Sequence, residues 1–351
     1  MSSIYTKVIS RGRPKPTADG PINVSVSLNT TFHEGGEVGY SRYGNDTCKA
    51  FEDVVSSLEG GRTLAFSSGM SATASILSIL PLEGKIIASN QGYAGVNATL
   101  KKLTYEGKIN AVFVDITNTG EVLGHVDGAS MLWIESPTNP MLGVADIERL
   151  IKSAKHNNVI TVVDNTFATV INQKPLDIGA DISINSASKY LAGHTDVLAG
   201  TISTNNSEIY EAIEFERKIN GSILQPFEAF LALRGIRTFP IRFEKAESNA
   251  KFLYSKLINH ESVKNINYPG FGAMISFEIC GTPEDADKVC SSSRLIAYAT
   301  SLGSVESLWE RRRRWPLESN LVPETLIRLS VGCEDQDDLW NDIKYCLDGI
   351  L

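Results

Sequence analysis

No stretch of this chain is long and apolar enough to span a bilayer, and the opening MSSIYTKVISRGRPKP has basic residues without the apolar run of a signal peptide behind them. A cytoplasmic protein with no membrane partner is the expectation. Cysteine is sparse: Cys48, Cys280, Cys290, Cys333 and Cys346 form no CxxC pair and adjoin no histidine cluster. That spacing speaks against a zinc site or a disulfide framework, and the five read as small buried hydrophobes. Excess positive charge is missing too. A net charge of -8 disfavours a phosphate-backbone partner, so no nucleic acid is expected. With 42% hydrophobic and 21% charged residues, the composition is that of an ordinary globular chain. Internal repeats and low-complexity segments are absent.

At 351 residues the chain exceeds what one hydrophobic core organises, so more than one packed unit is expected. Residues 1–43 mix Pro14, Pro16, Pro21, Gly35, Gly36 and Gly39 with few periodic apolar positions and read as an extended arm. From Thr47 onward, helical segments such as CKAFEDVVSSLEGG and ATASILSILPLEGK alternate with short apolar runs: TLAF, KIIAS, NAVFVD, MLWIES, VITVVDN, ISINS and VLAGTIS. Such alternation predicts an α/β domain over 44–234, a mostly parallel sheet covered by helices. Beyond 235 the pattern turns to a long polar helix (RFEKAESNAKFLYSKLINH), the strand-like GAMISFEI and TLIRLSVG, and a closing amphipathic helix. Residues 235–351 therefore read as a smaller α+β domain.

Ligands of open α/β sheets sit at the carboxyl ends of the strands, so the polar residues after each apolar run are the ones to collect. After TLAF come Ser67, Ser68, Gly69 and Met70, a turn into a helix whose free amide hydrogens suit a phosphate. Asp164, closing VITVV, serves either as an N-cap or as the counter-charge of a buried cation such as a protonated pyridine nitrogen. After ISIN come Ser186, Ala187, Ser188 and Lys189, a lysine between hydroxyls. With Tyr93 at another strand end, these are in chain order the parts a pyridoxal-phosphate site requires.

The chain resembles the Cys/Met-metabolism family of fold-type I pyridoxal-phosphate enzymes, which includes cystathionine γ-synthase, cystathionine β-lyase, cystathionine γ-lyase and methionine γ-lyase. The resemblance runs through YSRYGNDT at Tyr40, SSGM at Ser67, ESPTNP at Glu135, VDNTFAT at Val163, SASKYLAGHTD at Ser186, SLGSVES at Ser301 and IRLSVGCED at Ile327. It implies pyridoxal 5'-phosphate as cofactor, covalently linked to Lys189, which also moves protons. Asp164 would pair with the pyridine nitrogen, Tyr93 would stack on the ring, and Gly69, Met70, Ser186 and Ser188 would hold the phosphate. Tyr40 and Arg42 would reach the phosphate of a neighbouring subunit, which implies a homodimer with shared sites and, by analogy, a homotetramer. Arg328 would grip the substrate α-carboxylate, with Asn139 and Ser301 completing that pocket.

The sequence also departs from the family pattern. Ala98 stands where γ-synthases carry an arginine for a second carboxylate, and Thr300 stands where many γ-enzymes have glutamate and many β-lyases tyrosine. The run Glu310, Arg311, Arg312, Arg313, Arg314, Trp315 resembles a γ-lyase-like bacterial branch, and reads either as a solvated helix face or as a substitute for the missing arginine. The activity expected from the resemblance is γ-elimination from cystathionine. β-Elimination, γ-replacement on an activated homoserine, elimination from methionine and a non-catalytic regulatory paralogue are the alternatives.

Overall fold

The computed structural model describes residues 2–350. Its strands are β1 (Arg62–Phe66), β2 (Gly84–Ser89), β3 (Ile109–Val114), β4 (Met131–Glu135), β5 (Ile160–Asp164) and β6 (Ile182–Asn185). They continue with β7 (Gly200–Thr204), β8 (Val263–Asn267), β9 (Met274–Ile279), β10 (Ala297–Tyr298), β11 (Leu308–Arg311) and β12 (Leu326–Ser330). Two compact units share them. The first takes residues 1–81 and 160–240, the second 82–159 and 241–351. Segment 44–234 thus contributes to both units.

In the first unit the strands bond in the order β1-β7-β6-β5. β5 and β6 are parallel, while β7 runs antiparallel to β6 and to β1. Val162, Val163, Ile182 and Ile184 are buried, which fits strands covered on both faces and accounts for their unbroken apolar runs. Helix Asp46–Glu59 opens on the Asn45 side chain, which accepts from the amides of Thr47 and Cys48, and stops at Gly60, whose φ of 84° suits glycine. Its buried stripe of Ala50, Phe51, Val54, Val55 and Leu58 follows the helical period. Each of its larger apolar side chains contributes roughly 1.5–3 kcal/mol by leaving water.

The arm is not wholly extended. Ile4–Ser10 is a helix capped by Ser3, with Val8 buried. Two turns are too short to display periodicity, and the segment is fixed by tertiary bonds: Arg237 Nη1 donates to the carbonyls of Val8 (2.5 Å) and Arg11 (2.6 Å).

In the second unit β4-β2-β3 form a parallel sheet. A separate five-stranded sheet, β10-β11-β12-β9-β8, pairs antiparallel except for β10 with β11. Trp309 and Phe277 are wholly buried in it. No helix among the described residues is long and apolar enough to cross a membrane.

One buried acid faces β6. The Glu59 carboxyl accepts from Ser183 Oγ and Asn185 Nδ2, both at 2.9 Å. Burial pushes its pKa up to about 7 against those hydrogen bonds. A raised folded pKa means that the folded state holds the proton more tightly, so the carboxyl lowers stability as pH rises from about 4.5 to about 7. Glu59→Gln should abolish that part of the pH dependence. Thermal melts of both proteins between pH 5 and 8 check it: the wild type is expected to lose more stability over the range than the variant.

Candidate active site

The first unit brings the strand ends after β1, β5 and β6 together. Ser68 caps helix Gly69–Leu77 through a reciprocal box with Ser71, both bonds 3.0 Å, and this leaves the Gly69 and Met70 amide hydrogens with no acceptor among the described residues. A Cβ on Gly69 would lie 3.1 Å from Ser186 Cβ, so the turn after β1 sits against the turn after β6. Gly200 permits an even closer approach: a Cβ there would come 2.3 Å from the Ser68 carbonyl oxygen, a distance no side chain tolerates.

The Lys189 turn is closed by the Lys189 amide on the Ser186 carbonyl at 3.0 Å. Two hydroxyls anchor it. Thr166 Oγ1 accepts the Ser186 amide at 2.9 Å, and the Thr166 amide donates to Asp164 Oδ1 at 3.0 Å, so one residue ties the Asp164 turn to the Lys189 turn. Ser188 Oγ donates to the Ala199 carbonyl (3.1 Å) and accepts the Ala199 amide (2.9 Å). The Ser186 hydroxyl, by contrast, has no hydrogen bond among the described residues. Asp164 has no cationic partner there either, and burial raises its pKa above the ordinary carboxylate range against the bonds from Thr166.

Such a donor set fits pyridoxal phosphate. Two open amides at a helix start and a free hydroxyl suit a phosphate, and a carboxylate held away from water needs a cation, which a protonated pyridine nitrogen is.

In the second unit Arg328, central on β12, is 4% exposed. Its Nη1 donates to Asn139 Oδ1 at 2.8 Å, and its Nη2 to Glu310 Oε1 at 2.8 Å and the Ser301 carbonyl at 3.3 Å. Asn139 and Ser301 are thus joined to Arg328. Ser301 is held at a φ of 122°, a region that costs a non-glycine residue on the order of 1–3 kcal/mol. Tyr93 is 44% exposed at the head of helix Ala94–Tyr105, its amide bonded to Glu135 Oε2 at 2.6 Å.

Tyr40 and Arg42 lie in the first unit. Arg42 Nη1 donates to the Lys218 carbonyl at 2.7 Å, and its guanidinium lies 5.2 Å from the Tyr43 ring centre.

Two functional residues escaped the sequence reading as individuals: Thr166 and Glu310. Glu310 stands opposite Arg328 across the β11–β12 ladder. The one available signal was a single acid inside the apolar run LW and a single base inside LI–LS. Arg311 ends β11 and Arg312–Arg314 form a short 3₁₀ turn, with every arginine paired to an acid, not a solvated helix face. Arg312, bonded to Glu310 (2.5 Å) and Glu318 (2.6 Å), is itself buried.

A lysine turn, an acid ready for a pyridinium and a phosphate-type helix start, built on the strand ends of an α/β fold, define a pyridoxal-phosphate enzyme. The family described as Cys/Met metabolism PLP-dependent enzyme matches residues 5–348, and this chain belongs to it. It is 34% identical to a cystathionine gamma-lyase of Dictyostelium discoideum, over 98% of this chain and 97% of that one. A cystathionine beta-lyase of Lactococcus lactis is 35% identical over 99% of this chain and all of its own length. The solved structure of cystathionine gamma-lyase from Lactobacillus plantarum, complexed with L-serine, superposes with a TM-score of 0.95 at 31% identity and covers 99% of both chains. The fold is therefore fold-type I and the cofactor pyridoxal phosphate. The activity is that of a carbon–sulfur lyase of cysteine and methionine metabolism.

Burial alone would raise the Glu310 pKa, but Arg328 and Arg312, helped by hydrogen bonds from Trp315 and Arg314, hold it at about 2. A depressed folded pKa contributes stability that is complete above the ordinary value of 4.5 and is lost as pH falls toward 2. Glu310→Gln should therefore destabilise the protein most near neutrality. In urea titrations across the acid range, its deficit against wild type is expected to shrink as pH falls below 4.5; a constant deficit would show that the carboxylate charge is not what holds the cluster.

Proposed function

We propose that this enzyme cleaves L-cystathionine by γ-elimination, converting cystathionine and water into cysteine, 2-oxobutanoate and ammonia. The observation that carries the amino-acid substrate is the guanidinium of Arg328, buried and fixed on two sides by Asn139 and Glu310. A guanidinium so fixed recognises a carboxylate with little ordering cost. Gly69, Met70, Ser186 and Ser188 hold the cofactor phosphate, Asp164 holds the pyridine nitrogen, and Ser188 also keeps the lysine turn in register. Tyr93 covers the ring.

When bound, pyridoxal phosphate supplies an electron sink for the bonds at the substrate α-carbon. Lys189 carries the covalent link to the cofactor and is the mobile base. γ-Elimination requires it to take a proton from the α-carbon and then from the β-carbon, whereas β-elimination needs only the first removal. The choice of γ over β is supported by Thr300, whose small side chain donates to Glu310 at 3.0 Å where the β-lyases of the family often place tyrosine.

Incubation with L-cystathionine followed by keto-acid identification tests the reaction. 2-Oxobutanoate with cysteine is the expected product pair. Dominant pyruvate with homocysteine would move the enzyme to β-elimination.

The same reading makes the arm of residues 1–43 a contact with a neighbouring subunit, the phosphate-holding segment 44–234 and the carboxylate-holding segment 235–351 the two domains, and the cytoplasm the location. Arg42 and Tyr40 then complete the partner's site in a homodimer, two of which form a tetramer. Mixing inactive Arg42→Ala and Lys189→Ala subunits should restore part of the activity, because one site of the mixed dimer has both residues intact. No recovery in a sample with demonstrated subunit exchange would reject the shared site.

A further inference from the structure

The arginine run is not four equivalent charges. Arg311 is bonded to Asp287 at 2.9 Å and lies near Glu324, and Arg313 makes a two-pronged contact with Glu324 and a bond to Asn320. Arg312 is enclosed between Glu310 and Glu318, 7% exposed. Arg314 alone depends entirely on a carboxylate that others occupy. Its Nη2 and Nε donate to Glu310 Oε2 at 2.8 and 3.3 Å, and Nη2 also reaches Thr300 Oγ1 at 3.2 Å.

Glu310 is over-subscribed. Oε1 receives Arg312 and Arg328, and Oε2 receives Arg314 twice, Trp315 Nε1 and Thr300 Oγ1. A carboxylate offers about four acceptor sites, so the donors gathered on it exceed what it can fully satisfy. Among the guanidiniums on it, the shortfall falls on the most accessible: Arg314 is 27% exposed against 7% for Arg312 and 4% for Arg328, and its Nη1 has no acceptor among the described residues. The guanidinium is nonetheless oriented, lying 4.7 Å from the Tyr298 ring centre and 4.9 Å from that of Trp315. An arginine with a held plane and a free donor is prepared for an anion.

Its position selects which anion. Arg314 and Arg328 bond opposite oxygens of one carboxylate, so their bonding nitrogens lie within roughly 8 Å of each other, two hydrogen bonds and one carboxylate apart. Arg314 meets Thr300, and Arg328 meets the next residue, Ser301.

We infer that Arg314 is a specificity-determining residue that binds the distal carboxylate of a substrate carrying one carboxylate at each end, while Arg328 binds the α-carboxylate. The inference rests on the proposed role of Arg328 and is independent of which carbon–sulfur bond breaks.

The test compares the holoenzyme with its Arg314→Ala and Arg314→Lys variants on L-cystathionine and on S-ethyl-L-homocysteine and S-ethyl-L-cysteine, which keep the thioether and lack the distal carboxylate. Competitive inhibition by glutarate and by butyrate is measured alongside as a readout of binding. The ratio of kcat/KM for cystathionine over the ethyl thioethers should fall ~10- to 100-fold in Arg314→Ala, mainly through KM, as loss of one charge-assisted pair implies. The preference for glutarate over butyrate should fall with it, and Arg314→Lys should retain part of both. An unchanged ratio, with all substrates weakened alike, would mean that Arg314 acts only through Glu310 on Arg328, and would overturn the inference. Pyruvate as product would reject the γ-elimination reading but leave this ratio, and the inhibition pattern, to be read as before.

Discussion

The carboxylate of Glu310 is the constraint on which the amino-acid end of this site depends. It is 1% exposed, faces Arg328 across an antiparallel ladder and gathers Arg312 and Arg314 as well. Three guanidiniums that would repel one another in a water-poor setting are held close because one acid lies among them and Glu318 adds a second. Burying such charges costs desolvation, and the arrangement persists only because nearly every donor has a partner. Arg328 is consequently fixed before any substrate arrives. The free-energy cost of ordering a long side chain is met during folding rather than during binding.

The cofactor end obeys a different constraint, the close approach of backbone to backbone. Gly200 lets β7 pass beside the Ser68–Gly69 turn, and Gly69 lets that turn sit on Ser186. Thr166 then joins the Asp164 turn to the Lys189 turn through its amide and its hydroxyl. The two halves of the chemistry thus have separate supports: short-range sterics and main-chain hydrogen bonds in one unit, a buried ion cluster in the other. A substitution that disturbs one need not disturb the other, and phosphate holding and carboxylate holding can change independently in such a framework.

Much of the first support was legible in the sequence. Lys189, Asp164, Ser186 and the Ser67–Met70 turn all follow apolar runs, and strand ends are where open α/β sheets place ligands. Less was legible where partners are distant in the chain. Ser188 carries a hydroxyl beside the lysine, yet that hydroxyl is bonded to Ala199 on both its donor and acceptor sides, a relation visible only once β7 lies alongside. Helix Ile4–Ser10 escaped notice because two turns show no periodicity and its carbonyls are held by Arg237, more than two hundred residues away.

By itself the sequence determined the alternation of helices and strands, the α/β class and the identity of the residues at the strand ends, because hydrophobic period and turn chemistry are local and survive in one dimension. Its motifs also carried the family. Only the tertiary structure decided what the arginine run does. The four arginines between Glu310 and Trp315 look alike along the chain, and what distinguishes them is which acid each one meets. Those acids come from 287, 310, 318 and 324, and one of them is shared with Arg328 on the next strand. Charge pairing depends on distance in space, which falls steeply in effect beyond a few ångströms and which no spacing in the sequence records.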